Sequence, residues 1–402
     1  MKHVLPVSVF LLLAAATALA TTIVLGTDED LYGQAELIVE GTVLAVVPSP
    51  SGLPATAYRV RVDRALKGRA PGSEVTVRVP GGVGADGREL VIWGAPELRQ
   101  RERVLLFLGR YPEGDYGPLH LAMGAFHVVR DGDRELALRD LSEMEDVSTG
   151  EAAPARDRAR DFQRFAGWLA DRAAGLWRPA DYFVEGPVAG LRPPLEKFNY
   201  LEGIKQRWTE FDAKKSVGWR VQGAGQPGLR GGGFAEFLTA MKAWNDDPAT
   251  NIQYKYLGTT SRKSGFKKFD SINAIIFEDP NREVTGTFTC SSPGNGFGTL
   301  ALGGTWIDKE EPEPIRIQGA DIIVNDGAGC WFSTKKRAEQ VYGHELGHTL
   351  GLGHSCGDKL SGACTDPLEA DALMRATAFA DNRGARLNAD DRAAIRSLYP
   401  QH

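Results

Sequence analysis

The sequence predicts an α+β fold in two parts: a small all-β barrel, then a mixed sheet with helices packed on it. Three observations carry this. Short β-rich runs alternate with turn signals from Ala35 to about Leu138, and apolar residues fall at helical spacing from Phe234 to Trp244. The chain of 402 residues is also longer than one typical core supports, so two domains are expected.

The amino end reads Lys2-His3, then an apolar run from Val7 to Leu19, then the small-residue pattern Ala18-Leu19-Ala20. This is the pattern of a signal peptide over 1–20, with cleavage expected after Ala20 and secretion to an extracellular or periplasmic space. The run is short for a membrane span, and no later stretch of about 18 apolar residues would hold the chain in a bilayer. Thr21 rather than a cysteine comes directly after the expected cleavage point, so a lipid anchor there is not expected. Loss of Lys2 makes the formal charge one unit more negative than −5, which argues against nucleic acid or an anionic membrane as main partner.

Residues 21–150 form the expected barrel domain. It begins with Leu37 to Val43, and in the next run Tyr58, Val60 and Val62 alternate with Arg59, Arg61 and Asp63, the two-residue period of a half-solvated strand. Further strands are expected at Val75 to Val79, Leu90 to Trp93, Val104 to Leu108, Ala125 to Val129 and Glu135 to Leu138. Turn-rich segments at Pro48 to Pro54 and Pro80 to Gly87 separate some of them. So many short strands suggest a small closed or partly open barrel that resembles oligonucleotide-fold (OB) and netrin-like barrels. Its residues carry no chemical motif; His120 and His127 are expected as barrel side chains, and a packing or spacer role is the reading they support.

Residues 151–194 read as a linker. Phe162, Phe165, Leu169 and Leu176 make an amphipathic helix, and Pro179 to Pro194 an extended connection. Residues 195–402 form the second domain. One opening strand pattern is expected around Trp208 to Phe211 and Val217 to Val221, and further strands at Ile252 to Leu257, Ala274 to Glu278, Thr299 to Ile307 and Ala320 to Asn325, giving a five-stranded mixed sheet. Helices are expected at Phe234 to Trp244 and at about Lys335 to Leu350.

All four cysteines, Cys290, Cys330, Cys356 and Cys364, lie in this second domain, and export makes two disulfides the expectation. Three pairings are possible. The short loop favours Cys356 with Cys364, which leaves Cys290 with Cys330.

The chemistry is concentrated in His344-Glu345-x-x-His348-x-x-Gly351-x-x-His354. On a helix, residues four apart differ by about 40° of rotation and about 6 Å of rise, so His344 and His348 project to one point. Glu345 stands beside them outside the ligand set, where a proton acceptor belongs. His354 can join only if the helix ends. Gly351 sits where a left-handed residue would stop it, and the chain can then turn back with a third imidazole. Three neutral histidines suit one catalytic Zn²⁺ and leave a fourth position for water.

This extended motif resembles that of the metzincin metallopeptidases, and Ser355 after the third histidine is similar to the matrixin branch. Met374, in Ala372-Leu373-Met374-Arg375, stands where those families place a methionine turn below the zinc. Leu387 to Tyr399 is similar to the last matrixin helix, with Asn388 as its cap. The resemblance spans roughly Lys197 to Pro400. It implies that Thr299 to Ile307 lines the cleft, with Leu300, Ala301 and Leu302 on the edge where a protein or peptide substrate adds as a strand. It also implies that the segment after Met374 walls the main specificity pocket.

The chain departs from the family in having Arg375-Ala376 where matrixins usually have Tyr-Pro, and Ala376 removes the tyrosine that astacins and serralysins use as a fifth ligand. No cysteine precedes Cys290, so a cysteine switch is excluded. A barrel that restrained the enzyme would have to reach the cleft by an intramolecular surface contact or another ligand.

The function expected is a secreted zinc endopeptidase with Glu345 as general base on a zinc-bound water. A secreted binding or adhesion protein with a purely structural metal site is the rival reading. Cys356, close to His354, could close such a site as a fourth ligand, but its expected disulfide speaks against that. Asp358, Asp366, Asp381 and Asn382 offer oxygens for Ca²⁺ but lack EF-hand spacing.

Overall fold

Alternating apolar residues over 37–139 build a closed barrel whose inside and one outer face are both covered. The computed structural model describes residues 21–49, 52–141, 144–146, 158–184, 205–292, 295–357, 361, 364–377, 379 and 381–401. The signal segment and both ends of the expected linker lie outside the described residues.

The amino-terminal half contains β1 (Thr21–Val24), α1 (Asp28–Gln34), β2 (Leu37–Pro48), β3 (Ala55–Lys67), β4 (Glu74–Pro80), β5 (Gly82–Val83) and β6 (Glu89–Ile92). It continues with β7 (Arg103–Arg110), β8 (Tyr116–Pro118), β9 (Ala125–Asp131), β10 (Arg134–Arg139), β11 (Glu145–Asp146), β12 (Arg160–Asp161) and α2 (Phe162–Ala173). The ring β7-β2-β3-β4-β8 closes where β8 pairs with β7, and β9, β10 and β12 extend from β7. Val104, Leu106 and Leu108 of β7 fill the barrel with Val39, Val60 and Val77.

The alternate residues Leu105 and Phe107 face outward, against Phe162, Phe165 and Leu169 of α2. That helix starts where Asp161 caps it by accepting from Arg164 N at 3.0 Å. Leu176, expected on its buried face, lies past its end and is 53% exposed.

The carboxyl-terminal half adds β13 (Gln206–Arg207), β14 (Val217–Gln222), α3 (Phe234–Asn245), β15 (Tyr254–Thr260), β16 (Asn273–Ile276), β17 (Thr289–Ser292) and β18 (Asn295–Ile307). It ends with β19 (Ile315–Val324), α4 (Lys335–His348), α5 (Pro367–Ala370) and α6 (Ala389–Leu398). The sheet runs β18-β19-β16-β14-β15; β18 is antiparallel to β19 and the other pairs are parallel. β16 is buried at every residue, as an interior strand covered on both faces must be.

The strand expected at Trp208 to Phe211 is not formed. The ladder ends at Arg207, and the chain turns at Glu210, whose carbonyl accepts from Ala213 and Lys215. Trp208 and Phe211 are buried from this turn, and the Trp208 indole donates to Thr349 O at 2.7 Å. Their aromatic character signalled burial rather than pairing. Cys290 is joined to Cys330 and Cys356 to Cys364, with Cα atoms 6.2 and 5.0 Å apart.

The two halves share a sheet. β18 carries β1 and β6 on the edge opposite β19, both antiparallel, and β11 lies parallel to the far side of β1. His120 sits at this seam. Its Nδ1 accepts from Thr299 N at 3.2 Å, which places the proton on Nε2 for donation to Gln34 Oε1 at 3.0 Å. His127 stays within the barrel, 2.7 Å from Glu102.

Burial pushes the His120 pKa down to about 3. An unfolded histidine titrates near 6.5, so as pH falls the unfolded chain takes up this proton first. The neutral ring's contribution is therefore complete above about pH 6.5 and is lost toward pH 3, by up to ~1.4 kcal/mol per pH unit. Urea midpoints should fall with acidification across this window, and His120→Gln should flatten that slope by about one proton. An unchanged slope in the variant would contradict this role.

Candidate metal and catalytic site

The zinc-type motif occupies the last turns of α4 and the reversal after it. His344 and His348, one helical turn apart, are fully buried. The helix ends at His348, and Gly351 adopts φ +91° with its N–H donated to His348 O at 2.8 Å. A side chain there is excluded twice over: by the left-handed backbone, and because a Cβ would stand 2.2 Å from Gln206 O. The reversal returns His354, also fully buried, to the other two rings.

His344 Nε2 lies 2.7 Å from His348 Nε2 and 3.2 Å from His354 Nε2. The remaining nitrogens of the helical pair are committed elsewhere: His344 Nδ1 donates to Leu373 O at 3.0 Å and His348 Nδ1 to Leu352 O at 2.8 Å. Neutral rings with their protons on Nδ1 have only lone pairs at Nε2, and lone pairs at such distances repel unless a cation lies between them. Burial also depresses the pKa of both residues well below the ordinary value, favouring the neutral form that binds metal. The donor set therefore fits Zn²⁺. Among the described residues, this trio is the group that gathers metal-binding donors.

Met374 is buried beneath the trio's helix. A Cβ on Gly347 would stand 2.3 Å from Met374 Sδ and 2.6 Å from Trp244, so the motif's inner glycine is what lets the methionine approach. The third histidine's strand is tied to this turn by Ser355 N to Met374 O and Ala376 N to Cys356 O, both 2.8 Å.

Sequence reasoning did not single out Asp391, the residue that fixes the turn. Its carboxylate accepts from Leu373 N at 2.8 Å and Met374 N at 3.0 Å, and from Asn388 N at 2.9 Å. Asn388 in turn caps α6 in a reciprocal capping box, as expected. Leu373 O is the acceptor for His344, so Asp391 positions that ring through one residue. Asp391→Ala would strand three backbone donors; at about 1–3 kcal/mol each for buried groups, urea unfolding should show a loss of about 3 kcal/mol or more. A loss under about 1 kcal/mol would contradict the role.

Glu345 is fully buried, and burial raises its pKa to about 7 against the opposing bond from Thr22. Its Oε1 accepts from Thr22 N at 3.2 Å and Thr22 Oγ at 2.6 Å, and the Gly303 backbone of β18 also favours the charged carboxylate. Thr22 and Trp93 gave no signal in the sequence. The Trp93 ring stacks on His348 at 5.8 Å between centroids, and its carbonyl accepts from Thr21 Oγ.

Leu300, Ala301 and Leu302 lie on β18 with fully buried side chains, so only their backbone edge can meet a ligand. Arg375 lies over the Phe379 ring at 3.5 Å and Arg383 at 3.3 Å, so the two guanidinium groups clamp one aromatic. Ala376 is buried. The calcium candidates are not gathered: Asp366 caps α5 through Leu368 N, Asp381 pairs with Arg383, Asn382 adopts φ +58°, and Asp358 lies outside the described residues.

Residues 210–400 match a family model, that of the matrixins. No curated protein sequence matches the chain.

Proposed function

We propose that this chain, whose residues 210–400 belong to the matrixin family of zinc metallopeptidases, is an exported endopeptidase that cleaves extracellular proteins with Glu345 as its base. The signal is removed after Ala20. The observation that carries this reading is the convergence of three Nε2 atoms, two from α4 and one from the reversal after it, with the buried carboxylate of Glu345 on that helix.

His344, His348 and His354 hold the zinc, which when bound polarises a peptide carbonyl and acidifies water at the open position. Glu345 accepts a proton from the attacking water and hands it to the departing amine, which needs the carboxylate outside the ligand set and within reach of both. The β18 edge aligns the substrate backbone by strand pairing. Leu373 and Leu352 hold two ligand rings in orientation through their carbonyls.

Hydrolysis of a broad peptide library by the exported chain and by a variant starting at Leu25 tests this reading. Cleavage that disappears with a chelator is expected. Zinc-dependent stability with no hydrolysis by either form would instead favour the binding or adhesion reading.

A further inference from the structure

The β18 edge is already paired over most of its length. β1 takes Gly298 to Leu302, and β6 takes Gly304 to Ile307. On the far side of β1, Asp146 of β11 donates its N–H to Ala376 O at 3.1 Å and bridges to Thr377. Backbone from the amino-terminal half thus spans from β18 to the segment after Met374.

We propose that Thr21–Val24 is a tethered inhibitor of the catalytic cleft, a strand of the chain itself that occupies the edge a peptide substrate would take. This rests on the peptidase reading above. The strand addresses the base directly, because both Thr22 N and Thr22 Oγ donate to Glu345 Oε1. It is also fixed in register. Ile23 and Leu302 belong to one buried apolar cluster, and Val24, Trp93 and Leu300 to another.

The strand is presented by the barrel. α1 follows it, and Asp28 at the start of that helix pairs with Arg160 through two bonds of 2.8 Å, both side chains being buried. Tyr182 adds a third bond to Asp28 at 3.0 Å. Anchoring so close to the cleft gives the strand a high effective concentration that a free peptide must outcompete.

The same geometry explains why the strand is held rather than cut. The amide nitrogen bonded to Glu345 belongs to the Thr21–Thr22 bond. Once the signal is removed after Ala20, one residue lies upstream of that bond. The rungs a longer substrate would use upstream, Gly304 to Ile307, are held by β6. The occupant therefore meets the base with a single residue upstream of the bond and lacks the strand pairing that would hold a longer substrate there.

The test compares the exported zinc-loaded chain with a variant starting at Leu25 and with Thr22→Val, using a fluorescent dipeptide hydroxamate as a probe of binding and a peptide library as substrate. Removing the strand should tighten probe binding about 100-fold. Loss of the one hydroxyl bond to a carboxylate should tighten it about tenfold. Unchanged affinity in both variants would overturn the inference. If the shortened chain fails to fold, equal affinity in Thr22→Val and the parent does so alone. Tighter probe binding without hydrolysis by any form would keep the occluding strand and remove the peptidase reading instead.

Discussion

Glu345→Ala is expected to lower peptide hydrolysis by about 10²–10⁴-fold, the range set by removing a positioned general base. The comparison is best made in the variant starting at Leu25, where competition from Thr22 is absent. Metal content should remain at one zinc per chain, because the His344 and His348 rings are oriented through Nδ1 by the backbone carbonyls of Leu373 and Leu352 rather than by the carboxylate. The defect should therefore fall on kcat, with binding of a hydroxamate probe largely retained. A variant that cleaves at the parent's rate would reject Glu345 as the base, and one that loses its zinc would assign it a structural part.

Chelation is expected to abolish hydrolysis and to lower Tm without unfolding the chain. The trio is fully buried, so metal removal leaves three converging lone-pair donors inside the protein. The linkage is by mass action: a ligand present at about 1,000 times its dissociation constant stabilises by about 4 kcal/mol. For a domain of this size that corresponds to a fall of about 8–16 °C. The apolar core around Trp219, Trp244 and Tyr342, together with the Cys290–Cys330 disulfide, does not depend on the metal and should keep the domain folded at 25 °C. Calorimetry before and after chelation, with zinc added back, checks both parts. Retention of activity in the chelated protein would contradict the assignment of the trio as the catalytic centre.

The parts of the site that could be read from the sequence are those whose geometry is local. His344, Glu345 and His348 are placed by the pitch of one helix, and the turn of His354 follows from Gly351, whose positive φ the spacing anticipated. Met374 came from resemblance, and the reason it fits, a missing Cβ at Gly347, emerges only from packing. Asp391 lies within the recognised last helix, but nothing in its neighbours indicates that its carboxylate reaches back to Leu373 and Met374.

The partners from the other half of the chain were illegible for a stronger reason. Thr22 and Glu345 are separated by 323 positions, and no periodicity or spacing rule operates over such a distance. Trp93 on His348 and His120 on Thr299 are of the same kind. In the fold, period-two alternation located the barrel strands. Aromatic density misplaced a strand at Trp208 to Phe211, where two buried rings are reached from a turn.

X-ray absorption at the zinc edge, on the metal-loaded variant starting at Leu25, tests the site most directly. Three imidazole nitrogens at about 2.0–2.1 Å and one further light atom are expected, the signature of an open catalytic ion. A sulfur near about 2.3 Å, or a shell with fewer than three imidazoles, would contradict it.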